Sequence, residues 1–355
     1  MTRAELRERI ESAVLPPAVA LLVALIAGDL LILAVGQSPA AVYRLLLEGT
    51  WGNWYGFGQV LYKTTTLIAT GLAVSMGLRA GLFNIGAEGQ LAAGGFAAAV
   101  AGLVLPAGTP AMIGALLCVV AAMLAGGAVG WVPGALRARF GAHEVITTIM
   151  LNFIVLALLN WMIVTHLRVP ETLHTPALRT GAMPRLADTW SVFHGSAANY
   201  TIFILLIAAL LAWRYLFRTR GGYDLRAVGL QPLAAEAGGV RVSSTWMRAL
   251  TLSGALAGLG GINFVLGYKH YYEEGFAGGS GYLGIAVALV GRNHPAGVVL
   301  AALFFATLSQ GGLAVNAVVP KQLVEVLQGV IILAVAASVP EVRRAILASR
   351  RSGEP

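Results

Sequence analysis

The chain has 355 residues, of which 57% are hydrophobic and only 11% charged, with a formal net charge of +8. A soluble core of this length cannot bury so much apolar surface, so the composition excludes a soluble protein and predicts a polytopic membrane protein. The basic residues are dispersed between apolar runs, which excludes a nucleic-acid face, and a single cysteine, Cys118, excludes a disulfide framework.

The first sixteen residues are amphipathic and carry Arg3, Arg7 and Arg9, which predicts a short interfacial helix ahead of an uncleaved first span. Apolar runs place spans at 17–35, 59–78, 83–105, 111–132, 144–166, 199–217, 248–267, 275–291, 295–313 and 322–338. The fold class is therefore all-α, a single transmembrane domain of about ten helices. The third and eighth spans are rich in glycine and could be half-helices. With an even count both termini share one side, and that side holds 17 of the 24 Lys and Arg; the termini, including a tail at 339–355, are expected in the cytoplasm.

The third span opens with GLFNIGAEGQLAAGG (81–95), where Asn84, Glu88 and Gln90 stand among five glycines. Polar groups in hydrocarbon are costly unless they face protein or water, which makes this stretch a candidate site on a broken helix. The alternative is a cytoplasmic hairpin in which Asn84 caps the following helix and Glu88 lies at its positive end. In the fifth span Thr147, Thr148, Asn152 and Asn160 recur at helical spacing, either as interhelical glue or as a water-lined face. The path candidates are Asn84, Glu88, Gln90, Asn152, Asn263 and Ser280. Gly254-x-x-x-Gly258 and the group Gly126, Gly127 and Gly130 are close-packing positions.

Two connections are long. Residues 167–198 form an external loop that could fold over the outer mouth and meet a partner, or be a solvated connector. Residues 218–245 form a cytoplasmic loop in which Gly221-Gly222 and Gln231-Pro232 should break the backbone, around short helical segments at 224–229 and 233–237. A faint echo links 81–95 with GGSGYLGIAVALVGRNHPAG at 278–297. The two would begin on opposite sides of the membrane, as paired broken helices of inverted repeats do.

Enzyme motifs are missing. No histidine pair has metal-ligand spacing, His143-Glu144 lacks its second histidine, and no Gly-x-Ser-x-Gly elbow occurs. Gly279 to Gly284 fits a dinucleotide fingerprint but has no preceding strand, so it reads as a packing or kink feature. None of Lys63, Lys269 and Lys321 follows a glycine, so there is no phosphate loop, and ATP-driven work would need another chain. Asp29, Lys63, Glu88 and Glu325 lie in or at the edge of spans, which keeps an ion-coupled secondary carrier as the rival reading.

FNIGAEGQ (83–90), HEVITTIMLN (143–152), LRAVGLQPLAAEAGG (225–239) and GIAVALVGRNHPAG (284–297) together resemble permease subunits of ATP-driven importers. The branch is the one shared by branched-chain amino acid, simple-sugar and nucleoside systems. The glutamate at 88 and Gly291-Arg292-Asn293-His294-Pro295 look like its nucleoside members, with simple sugars as the alternative. The resemblance implies a transport subunit in a bacterial cytoplasmic membrane that works with a second, related permease. Its other partners would be an ATPase, which carries the ATP and Mg, and an external binding protein or lipoprotein. No cofactor is expected on this chain. ATPase coupling would map onto Arg226, Gly229, Pro232, Ala235, Glu236 and Gly238, with Gln231 standing where an asparagine commonly precedes the proline.

Overall fold

The computed structural model describes residues 22–334 apart from 24, 168, 321 and 332. The expected interfacial helix at 1–16 and the tail at 339–355 lie outside these residues. No strand forms among the described residues, only isolated bridges between His174 and Glu273 and between Arg185 and Asn199. Residues 54–306 form one compact unit, and the flanking segments form another.

In the flanking unit, α1 (Leu25–Ala34) turns through 110° into α2 (Pro39–Thr50), with Gly36 left-handed at the corner. Pro39 starts α2, where its missing N–H costs nothing. Val42 of α2 packs with Ile32, Val315, Val319 and Val324, the last of these on the short α14 (Gln322–Ile331). Asp29 of α1 accepts a hydrogen bond from Tyr43 (2.8 Å).

The larger unit is built around α3 (Trp54–Arg79), which is buried without interruption from Leu67 to Gly77. Around it lie α4 (Ala87–Val104), α5 (Ala111–Phe140), α6 (Glu144–Met162) and α7 (Thr201–Arg218). After the short α8 (Arg220–Leu230) and α9 (Pro232–Ala237), α10 (Val242–Gly260) runs into α11 (Ile262–Phe264) and a π turn at Val265–Lys269. Helices α12 (Ser280–Val290) and α13 (Pro295–Ala314) follow.

The α5–α10 seam is backbone against backbone. A Cβ on Gly126 would fall 2.3 Å from Gly254 O, and one on Gly258 2.4 Å from Ala122 O. Gly94 brings α4 onto the same spot, where a Cβ would meet Gly258 at 2.3 Å. Of the glycines named from the sequence, Gly126, Gly130, Gly254 and Gly258 therefore serve close helix approach, and Gly127 does not, its Cβ coming no nearer than 3.4 Å to a neighbour. By contrast α5, α6 and α7 leave Leu124, Phe153 and Leu210 exposed, as faces toward hydrocarbon would be.

Among the described residues six helices are long and apolar enough to cross a membrane, or seven if the bent α1–α2 pair is one span. The expected ten are not confirmed among these residues. The eighth expected span shrinks to α12, whose eleven residues reach only about 16 Å against a hydrocarbon layer of about 30 Å. The second falls on α3, which is long enough but less apolar because protein surrounds it, and the tenth, expected at 322–338, lies only partly among the described residues, where α14 begins it. A second correction concerns Gly221-Gly222, which lie inside α8 rather than breaking the chain. The break falls at Thr219, whose Oγ1 accepts the Gly222 N–H (3.1 Å). A Cβ on Gly222 would sit 2.0 Å from Tyr215 O, so this glycine permits a tight α7–α8 corner.

Candidate functional site

The polar stretch after α3 folds into a saturated node. Asn84 donates from Nδ2 to Gln90 Oε1 (2.8 Å) and Ser253 Oγ (2.7 Å). Its Oδ1 accepts the Gly86 N–H (2.9 Å) and Gln90 Nε2 (3.2 Å). Ser253 in turn donates to Ala73 O, so one amide ties α3, α4 and α10 together. Asn84 thus closes the turn two residues ahead of α4; the N-cap position itself is Gly86. From α6, Asn152 Oδ1 accepts the Gly89 N–H (2.9 Å) and Nδ2 donates to Ile85 O (2.8 Å), while Thr148 Oγ1 accepts the Ile85 N–H (3.3 Å). The polar stripe on this helix is interhelical glue at Thr148 and Asn152.

Glu88 lies in the first turn of α4, yet its carboxylate serves another helix. Oε1 accepts the Gly279 N–H (2.8 Å) and Oε2 the Gly281 N–H (2.7 Å) at the start of α12. A Cβ on Gly281 would lie 2.3 Å from Glu88 N, so the two helix starts touch. One negative group therefore sits where two positive helix ends meet, the arrangement a macrodipole favours. The two glycine-broken stretches that echo each other in sequence are joined here. Gly281 and Gly284, whose Cβ would meet Thr70 at 2.6 Å, act as packing glycines.

Asn263 forms a second node. Its Oδ1 accepts from Asn199 Nδ2 (2.9 Å) and Thr201 Oγ1 (3.1 Å), and its Nδ2 donates to Tyr62 O (2.8 Å) and Thr66 Oγ1 (2.9 Å). Asn84, Glu88, Gln90, Asn152 and Asn263 are all buried and meet protein in this conformation. Ser280 is half-buried. Tyr282, the residue after the Glu88-bound Gly281, is 43% exposed and its hydroxyl accepts from Asn152 (3.3 Å). Sequence reasoning missed Ser253, Asn199, Thr201 and Tyr282. The first three are isolated small polar residues that only the fold brings to their partners.

At the end of the molecule bearing α8 and α9, Gln231 is extended (φ −157°) and Pro232 starts α9, so the predicted break there stands. Arg226 and Gly229 face inward. The Arg226 guanidinium lies 5.2 Å from the Phe217 ring, Arg79 covers the same ring at 5.5 Å, and the His294 ring stands 5.3 Å away. A Cβ on Gly229 would fall 2.1 Å from Arg79 O, so α8 rests directly on the turn that leads into the Asn84 node. Ala235 is buried, whereas Glu236 and Gly238 are exposed. Leu230 and Leu233 beside them are 86% and 75% exposed. Burial, and then the charge of Arg79, hold His294 below its ordinary value.

Opposite α8 and α9, residues 169–198 are folded and hydrogen-bonded. Thr175 N–H donates to Tyr272 O (2.9 Å), Leu178 N–H to His270 O (2.8 Å) and Met183 N–H to Leu266 O (2.8 Å). The segment is thus tied to residues 266–272 rather than hanging loose. Among the described residues no group of His, Cys, Asp and Glu could hold a metal ion.

Helices long and apolar enough to cross a membrane, with exposed apolar flanks and buried polar nodes, mark a multi-pass membrane protein. The chain belongs to the family described as the branched-chain amino acid transport system permease component, whose model matches residues 54–336. It is 38% identical to the guanosine ABC transporter permease protein NupP of Bacillus subtilis, over 92% of this chain and 94% of the relative. It is 33% identical to the nucleoside ABC transporter permease protein NupB of Lactococcus lactis, over 91% and 90%. The glucose ABC transporter permease protein TsgB13 of Haloferax volcanii is 32% identical, over 89% and 85%.

Proposed function

We propose that this chain is the permease subunit of an ATP-driven importer of nucleosides. The observation that carries the reading is near-full-length similarity to two permeases named for guanosine and nucleosides, the higher at 38% identity. In this reading the chain stands in a cell membrane with both termini in the cytoplasm and pairs with a second permease. A cytoplasmic ATPase binds ATP and Mg and docks on the exposed α8–α9 pair, with Leu230, Leu233 and Glu236 as its contacts. An external binding protein or lipoprotein delivers the solute at the end covered by residues 169–198.

Closure of the ATPase would press α8 through Gly229 onto the Arg79–Gly81 turn and so load the Asn84 node. A solute shifts the two-state equilibrium only by its differential affinity, so selectivity belongs to the binding protein and the path holds solute weakly. The buried nodes then frame the path, while Ser280 and Tyr282 offer it polar groups.

The test is uptake of a labelled nucleoside by vesicles containing the chain with its ATPase, partner permease and binding protein. Uptake should require ATP and be competed by unlabelled nucleosides but not by glucose. Full competition by glucose would favour the sugar reading that the TsgB13 similarity supports. Uptake by this chain alone that follows a proton gradient would establish a secondary carrier instead.

A further inference from the structure

We propose that residues 270–279 form a movable gate segment of the transport path and that Glu88 is the positioning residue that latches its inner end. The proposal rests on the permease reading. The α10–α11 helix loosens into the π turn at Val265–Lys269 and stops at His270, which is left-handed (φ 61°). No helix resumes until Ser280. Between them the chain turns through Gly275, Gly278 and Gly279, with φ of 74°, 52° and 82°.

These glycines differ from those of the α5–α10 seam. A Cβ on Gly275 or Gly279 meets nothing within 4 Å. Space does not demand glycine there; the left-handed backbone does. The segment is nonetheless enclosed. Tyr272 and Ala277 are buried, Tyr272 meets Phe96 edge-on at 5.4 Å, and Phe276 lies 4.9 Å from Phe264. Irregular backbone alongside α4 is tolerated only where protein or water covers it.

Clasps hold both ends. At the outer end the Thr175 N–H donates to Tyr272 O (2.9 Å), Tyr272 N–H to Thr175 Oγ1 (3.1 Å) and Glu274 N–H to Leu173 O (3.0 Å). At the inner end are the two bonds from Gly279 and Gly281 to Glu88. A short non-helical run with free hinge glycines, pinned by a few breakable bonds at each end, is the kind of element that switches between two positions.

The test locks the outer clasp. His174 and Glu273 face each other in an antiparallel bridge, where Cα atoms stand about 4.5–5.5 Å apart, within reach of a disulfide. With Cys118→Ala as background, His174→Cys/Glu273→Cys is assembled with its ATPase, partner permease and binding protein. Oxidation should cut nucleoside uptake at least tenfold and a thiol reductant should restore it, with each single variant unaffected. Parental uptake by the oxidised pair would overturn the gate.

Glu88→Gln turns an amide N–H toward one of the two donors. It should lower the maximal uptake rate about tenfold, the loss of one charge-assisted bond, with unchanged half-saturation and intact ATPase co-purification. Glu88→Asp should recover part of that rate. A Glu88→Gln transporter with parental maximal rate would remove Glu88 from the latch. If the unmodified complex takes up no nucleoside, the substrate assignment fails separately. The gate is then judged by whether the disulfide reversibly suppresses ATP hydrolysis by the complex, and no suppression overturns it.

Discussion

At Asn152 a single side chain satisfies a backbone donor in the first turn of α4, Gly89 N–H, and a backbone acceptor just before that helix, Ile85 C=O. Asn152→Leu keeps the volume but strands the buried Gly89 N–H and Ile85 C=O, each at a cost of about 1–3 kcal/mol. The thermal transition of the purified chain should fall by several degrees, and an unchanged transition would show that the node contributes nothing. His294 is a second case. Burial first, and Arg79 second, lower its pKa in the folded protein below the ordinary 6.5, so protonation opposes folding. Stability attributable to this ring is complete above pH 6.5 and declines as pH falls through that value. His294→Gln should flatten the acid side of a stability-against-pH curve measured by thermal unfolding.

The seam between α5 and α10 separates glycines that space demands from those it does not. Gly126→Ala drives a methyl to 2.3 Å from Gly254 O, whereas at Gly127 the nearest atom is at 3.4 Å. Gly126→Ala should sharply reduce recovery of folded protein from membranes. Gly127→Ala should be neutral or stabilise by up to about 1 kcal/mol through helix propensity. Equal behaviour of the two would refute close packing as the cause. Such seams were legible in the sequence as Gly-x-x-x-Gly spacing, as were α4 to α7 as apolar runs and α8 and α9 as Ala- and Leu-rich segments between breakers. The polar node was legible as Asn84, Glu88 and Gln90 in apolar company, but not its partners, since Ser253 lies 169 residues from Asn84. The eighth span was overdrawn because apolar content continues through Gly275–Gly279, where φ rather than hydropathy decides. Helix α2 escaped notice although Ser38-Pro39 marks its start.

For the molecule as a whole, the pair Leu230 and Leu233 is the largest apolar exposure on the α8–α9 face. Leu233→Asp combined with Glu236→Arg should abolish co-purification of the ATPase while leaving the chain in the membrane at parental level. Retained ATPase would move the docking surface elsewhere. Finally, α3 is buried without interruption from Leu67 to Gly77 and, at 26 residues, falls short of the apolarity of the six spans. A segment that water does not strongly reject has little reason to leave the translocation channel on its own. Biogenesis of this protein must therefore be cooperative, with the hub admitted to lipid as the guest of its neighbours. A reporter fused after residue 79 should integrate poorly, and one fused after residue 104 should integrate well.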